Sequence, residues 1–564
     1  MQISRLGRGS RFRALATRVV VVAVLIVLCS GCTAAFGATT ISVSSLAAGL
    51  GDAGAGRCTL RDALVVADLA SNPALGTRAE PGGSDASRDC RGRVRGRGSP
   101  YEIRLAAGAV YTLTMIDDYW FGPDGLPPVS AEVTIVGNGA TITRSAGRTP
   151  GFRFFYVSGG LSGIPVGQLT LQHVVLSNGL AEGGASGGGG GGAGMGGAIF
   201  NQGVVALEHV TLSGNEAQGA TGSGPALDGS GGGIGPDGGF GGPAPGALGG
   251  AGGSENADLS RGANDGDAGG GGGFRAADPG HSGASGGAPG GKGGFGSGGG
   301  DGGYGGNGDD DDGAGGAFGR RGGTPHIFGG PNGDGVGAGG GGGVGGGGAL
   351  GANATGSGGG FAGGGSQAGC DSGGCSGGDG GFGGGGAGSG DGGNDGKGGF
   401  GAGHGDGNEG GGGAGMGGAV FSLFGTVSAS DSTLSANSAI GGPGDATSAD
   451  GTAGDGLGGA IFNVDGTLAV SGSTIAQNTA EGGASAGGGV YSLAFGNTIT
   501  RGGVTVATVE VAGSSLTGNH GAGDRADDLA LNRINGKHAN ASTGTVLATS
   551  IVGATTVTGG ALEL

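Results

Sequence analysis

The chain has 564 residues, 165 of them Gly, with a net charge of −17, 5% aromatic residues and 13% charged residues. An ordinary globular protein of this length carries far more of both classes. The acidic balance argues against nucleic acid and anionic membrane surfaces as partners and fits a solvated exterior.

In chain order, residues 1–37 read as an export signal. Arg5, Arg8, Arg11, Arg13 and Arg18 precede an apolar run at 19–28. Cleavage after Gly37 leaves small residues at −3 (Ala35) and −1 (Gly37). Lipoprotein processing at Cys32, with a lipid anchor there, is the rival, and an uncleaved anchor is a third route. A short strand follows at 38–46. Thr59 and Asp62 then form a capping box, and Leu60, Leu64, Val65 and Leu69 recur at helical spacing, which predicts a short amphipathic helix over 58–71. Its apolar side suits the open end of a stacked-coil domain. Residues 72–100 read as a polar loop. An even number of cysteines beyond the signal supports pairing, so Cys58 and Cys90 are candidate disulfide partners, as are Cys370 and Cys375.

Strands resume at 101–105, 110–114, 133–142 and 152–157, interrupted by a turn-rich excursion at 117–128. That excursion holds the only Trp, Trp120, which either pins its own loop or stacks on a sugar. A repeat then dominates. Apolar residues sit at i, i+2 and i+7, with Asn at i+10: Val205, Leu207, Leu212, Asn215; Val427, Ala429, Leu434, Asn437; Leu468, Val470, Ile475, Asn478; Val509, Val511, Leu516, Asn519. Leu169, Leu171 and Leu176 form another copy, with Gly179 in the Asn slot. Period-two alternation means a strand with one buried face. One such coil cannot bury its own apolar side, whereas stacked coils about 4.8 Å apart bury it against each other. The Asn residues read as structural corners, since Asn tolerates the left-handed region and its amide bonds to backbone and to the next Asn.

The sequences CTLRDAL, YEIRLAAGAVYTLT, GPDGLP, VTIVGNGATI and the GGA[IV] rungs resemble the bacterial exported β-helix proteins named for their CSLREA motif. The rungs are also similar to the repeats of polymorphic outer-membrane proteins. The resemblance covers roughly 38–215 and 413–540. It implies an all-β, pectate-lyase-like, single-stranded right-handed parallel β-helix, secreted or at the outer-membrane surface. No barrel segment of the kind that ends polymorphic membrane proteins is read after the last rung. The expected organisation is therefore a signal (1–37), an N-terminal cap with first coils (38–215), a glycine-rich insert (216–412) and C-terminal coils (413–564). The coils are expected to unwind after Asn519, with 545–551 and 555–557 adding an edge coil.

Little apolar surface offsets the entropic cost of ordering Gly, so the insert is expected to be disordered. Gly at every third position from Gly287 to Gly308 supports the alternative of packed polyproline-II-type helices. Asp309, Asp310, Asp311 and Asp312 offer carboxylates for calcium, although such a run is ordinarily a solvated one. No other cofactor is indicated. Polysaccharide hydrolysis on a β-helix needs two carboxylates on neighbouring coils. Gly403-His404-Gly405 falls inside the insert, Arg533-Ile534-Asn535 lacks the expected Lys, and the rung slots hold Thr170, Ala206, Ser428, Ala469 and a single Glu510. The sequence thus predicts a non-enzymatic, adhesin-like or matrix-contacting scaffold with an unnamed surface or extracellular partner, polysaccharide among the candidates. The alternative is a carbohydrate-active β-helix, decided by where Glu208, Asp431 and Glu510 fall.

Overall fold

The computed structural model describes residues 38–46, 57–71, 83–95, 99–118, 121–145, 151–160, 164–186, 189–222, 232–233, 351–352, 356, 358–369, 376–389, 393–407, 409–444, 452–496, 506–534, 541–547, 550–558 and 561–563. They form a mostly β, parallel solenoid. In each complete coil the chain runs through a two-residue strand, an aromatic-bearing strand, a long strand in two halves, and a short strand after the corner. Gly194–Met195, Ile199–Asn201, Val204–Glu208 with Thr211–Ser213, and Glu216–Gln218 make one such coil. Gly415–Met416, Val420–Leu423, Thr426–Ser430 with Thr433–Ser435, and Ser438–Ile440 make the next.

Equivalent positions stack in strict register. Leu169, Val205, Val427, Leu468 and Val509 are successive partners, as are Leu171, Leu207, Ala429, Val470 and Val511. Leu176, Leu212, Leu434, Ile475 and Leu516 form the third file. All fifteen side chains are buried and belong to one continuous cluster. The period-two pattern therefore produces a single dry interior, each buried aliphatic side chain contributing roughly 1.5–3 kcal/mol.

The Asn slots form a buried ladder. The Asn215 side-chain amide donates to Asn437 Oδ1 (2.9 Å), Asn437 to Asn478 (2.9 Å), Asn478 to Asn519 (2.8 Å) and Asn519 to Asp528 Oδ1 (2.7 Å). Each amide also donates to a carbonyl of the coil before it: Leu176, Leu212, Leu434 and Ile475. Gly179, in the Asn slot of the first copy, donates its N–H to Asn215 Oδ1. The expectation that Asn itself takes the left-handed conformation is corrected. That role falls to the residue before it: Asn178, Gly214, Ala436, Gln477 and Gly518 have φ between 54° and 71°. The Asn is held by its amide bonds, not by its backbone.

Helix α1 (Leu60–Ser71) sits where predicted, with Leu60, Ala63, Leu64 and Ala67 in the main core. The capping box forms: Asp62 N–H donates to Thr59 Oγ1 (3.0 Å), and Thr59 N–H to Asp62 Oδ2 (3.1 Å). The loop expected at 72–100 instead contains helix α2 (Gly83–Asp89) and a strand, Val94–Arg95, antiparallel to Thr39–Ser42. The Cys58–Cys90 disulfide ties α2 to the start of α1, with Cα atoms 4.5 Å apart. In the excursion, the buried Asp124–Arg153 ion pair (3.0 Å) anchors the chain; Trp120 lies outside the described residues, as do residues 1–37.

Two boundaries move. The coil runs past Asn215, because Glu216–Gln218 pairs with Leu180–Glu182 and Ser438–Ile440. The stack does not unwind after Asn519: Leu529–Arg533, Ala541–Val546, Ile551–Val552, Thr555–Thr558 and Ala561–Glu563 continue it in parallel. No helix among the described residues is long and apolar enough to cross a membrane.

The described residues of the insert follow the alternative of packed polyproline-II-type segments and not disorder. They are ordered by backbone hydrogen bonds with a three-residue period. The N–H groups of Gly356, Gly359, Ala362 and Gly365 donate to the carbonyls of Ser376, Asp379, Phe382 and Gly385, and those of Gly377, Gly380, Gly383 and Gly386 donate to Asn394, Lys397, Phe400 and Gly403. That is the bonding of packed polyproline-II-type segments. The approach is too close for any side chain: a Cβ on Gly381 would lie 1.7 Å from the Gly360 carbonyl oxygen. The predicted 287–308 glycine period, Asp309 to Asp312, and both Cys370 and Cys375 fall outside the described residues.

Candidate functional site

The solenoid has an aromatic sheet and a long sheet, and their outer faces have opposite fates. On the aromatic sheet, Tyr156, Phe200, Phe421, Phe462 and Tyr491 are register partners. Ring centroids stand 5.0 Å apart for Phe200–Phe421, 5.4 Å for Phe421–Phe462 and 5.3 Å for Phe462–Tyr491. This column is covered by three glycine hairpins of the insert. Each turns through a Gly-Phe-Xaa-Gly or Gly-Phe-Gly-Ala step, at 360–363, 381–384 and 399–402, closed by a backbone hydrogen bond across the turn of 2.8–3.0 Å. The residue after each Phe has positive φ: Ala362 65°, Gly383 82°, Gly401 75°. The Phe tips form a second column, Phe361–Phe382 and Phe382–Phe400 both at 5.5 Å. It meets the first at Phe361–Phe421 (6.4 Å), Phe382–Phe462 (6.4 Å) and Phe400–Tyr491 (6.3 Å). Aromatic pairs at such spacings contribute about 0.5–1.5 kcal/mol beyond area burial. The face best suited to stacking on sugars is thus occupied by the chain itself.

The outer face of the long sheet stays open. Its columns carry short polar side chains. Thr141, Val175, Thr211, Thr433, Thr474 and Ser515 are successive partners, and so are Thr143, Ser177, Ser213, Ser435, Ala476 and Thr517. Midway along each long strand or strand pair a residue takes positive φ: Asn138 (followed by Gly139 at 80°), His173, His209, Asp431, Gly472 and Gly513, these six between 48° and 56°. This turns the side chain outward. His173 and His209 stack face to face, centroids 4.7 Å apart and planes 3° from parallel. With Asn138 and Thr211 they line a shallow groove of about 400 Å³. Beside them the Gln172 side-chain amide donates to Glu208 Oε2 (2.8 Å).

Glu208, Asp431 and Glu510 do not converge. Glu510 sits in the column of Ala469, Ser428 and Ala206, three coils beyond Glu208, a separation of about 14 Å along the stack. Only Glu208 and Asp431 are on adjacent coils, and Asp431 is exposed. A carboxylate pair that the sequence reading overlooked lies at the corner. Glu182 and Glu216 are on neighbouring strands, two residues out of register. Burial pushes the Glu216 carboxyl up, opposed by its hydrogen bond from Ser438 and reinforced by nearby Glu182; burial lowers the Arg144 guanidinium, opposed by Glu182 and Glu216. Glu182 Oε2 accepts the Gly151 N–H (3.0 Å), and Arg144 Nε donates to the Asn178 carbonyl (3.0 Å).

His404 lies in the glycine bundle, where its Nδ1 accepts the Gly398 N–H (2.9 Å), and Arg533 ends a strand of the aromatic sheet. Among the described residues no group of three or more His, Cys, Asp and Glu has the arrangement to hold a metal ion. Comparison with family models, curated proteins and solved structures returned no match.

Proposed function

We propose that the chain is an exported, non-enzymatic scaffold, a right-handed β-helix of adhesin-like or matrix-contacting type, secreted or held at the outer surface. One observation carries this reading. The chain buries its aromatic face under its own insert and leaves outward a regular field of Ser and Thr hydroxyls, chemistry suited to broad, shallow contact. The export-type leader read at 1–37 and the resemblance of the rungs to surface β-helix proteins agree with it. Fractionation of native cells with mass spectrometry of the mature N-terminus tests the location. Recovery of the intact chain in the cytosol, leader uncleaved, would sink it.

A second reading, a carbohydrate-active β-helix, is favoured by the Glu182–Glu216 corner, because one carboxyl is raised beside another on the next strand. The pattern fits an acid and base pair for glycosidic bonds. A polysaccharide depolymerisation screen separates the two readings. Turnover lost in Glu216→Gln would replace the scaffold by the enzyme.

A further inference from the structure

The stacked imidazoles lie on the open face and not in the core. Both are exposed, in contrast to the buried Asn ladder that holds the coils together. Four of the six positions in their column show that the turn itself asks only for Asn, Asp or Gly, the residues that enter the left-handed region at least cost. Histidine at two adjacent coils therefore adds something the backbone does not need. We propose that His173 and His209 form a binding site for a borderline divalent transition metal ion, Zn²⁺, Ni²⁺ or Cu²⁺, held between one nitrogen of each ring.

Several observations support this. The register of adjacent coils sets the two rings one coil apart; stacked with planes 3° from parallel, their in-plane lone pairs run side by side, and both rings turn out of the stack when they bind one ion. A tetrahedral ion with bonds of about 2.0–2.1 Å needs its two nitrogens roughly 3.4 Å apart. The ring centroids stand at 4.7 Å and both side chains are exposed, so rotation about their side-chain torsions can bring one nitrogen of each toward a common point. Imidazole selects these metals over calcium and magnesium, which take oxygen ligands. The surroundings are favourable in charge: Glu208 adjoins His209 in sequence, and Asp431 is the next residue in the column. The shallow groove in front leaves room for water on the remaining coordination positions. This is an open surface site, suited to bridging to a donor on another molecule.

The test is calorimetric titration of the untagged full chain with NiCl₂ and with ZnCl₂, beside His173→Asn, His209→Asn and the double variant. Asn occupies the same column at position 138, so these variants keep the turn, and an unchanged Tm verifies that. Saturable binding by the parent, at least roughly tenfold weaker in each single variant and lost at this site in the double variant, supports the proposal. Cu²⁺ electron paramagnetic resonance gives an independent readout: coupling to two nitrogens in the parent falling to one in either single variant is the expected result. No saturable binding by the parent, equal binding by the double variant, or loss in only one single variant would each overturn it.

Discussion

The solenoid and the glycine bundle solve the same problem by opposite means. In the solenoid, side chains set the spacing: aliphatic files fill the interior while Asn215, Asn437, Asn478 and Asn519 close the corner. In the bundle the lack of side chains sets it: backbones approach until a Cβ would overlap a carbonyl, and the N–H groups bond to neighbouring segments every third residue. Gly costs about 0.5–1 kcal/mol more than Ala to order. The bundle recovers this through dense backbone bonding and three Phe tips seated on the aromatic column. The comparison teaches that low apolar content does not by itself mean lack of order; what matters is whether a template is present, and here it is the outer face of the aromatic sheet.

The difference can be broken from either side. Leu434→Ala removes a buried side chain from the central file and is expected to lower global stability by about 2–5 kcal/mol, read by chemical denaturation. Asn437→Ala cuts the ladder in its middle: the Asn215 backbone N–H and one hydrogen of its side-chain amide lose their acceptor and the Leu212 carbonyl loses a donor, for a loss of roughly 1–3 kcal/mol per group left unsatisfied. Gly381→Ala acts on the other region alone. Its Cβ would meet the Gly360 carbonyl at 1.7 Å, so hydrogen exchange should rise across 358–369, 376–389 and 393–407 while the coils remain protected. Equal loss of protection in the coils would show that the two regions form one cooperative unit.

A pH effect sharpens the comparison at the cap. Burial raises the Asp68 carboxyl from 3.8 to about 7, opposed by hydrogen bonds from the Ser130 N–H and hydroxyl. The folded chain therefore holds this proton more tightly than the unfolded chain, and stability falls as pH rises from about 4 to about 7. Asp68→Asn should flatten that slope in a denaturation series, with the bundle's exchange unaffected. The smallest effect is expected on the open face: Ser428→Ala should shift stability by no more than about 0.5 kcal/mol.

The coil register was legible because alternation in Leu468 and Val470, or Val509 and Val511, has no other economical meaning than a one-sided strand. The Asn slot was legible as a place, while its mechanism was not, since the left-handed residue is the one before it. The aromatic column was missed although Phe200, Phe421 and Phe462 follow Gly-Gly-Ala-Ile or Gly-Gly-Ala-Val at one fixed offset. It sits on the face a one-sided strand leaves to solvent, and its cover comes from far along the chain. The hairpins had a signal too, Gly-Gly-Phe at 359–361, 380–382 and 398–400, submerged in a composition where any glycine motif recurs. Helix α2 was invisible because SDASRD has no apolar stripe; its disulfide supplies what patterning does not. The His173–His209 pair needs the register of two coils before it can be seen at all.

The glycine-rich segment departs after Gln218 and re-enters at Gly415, yet Val205 and Val427 on either side of it are direct strand partners. Shorter excursions, 183–193, 441–455 and 482–489, leave from the same corner. Closing a flexible loop costs only about 0.6 kcal/mol for each doubling of its length. The corner therefore works as an expansion port: related chains are free to differ there by hundreds of residues while the stack on either side keeps its alignment, and foreign sequence grafted at that point should leave the coils folded.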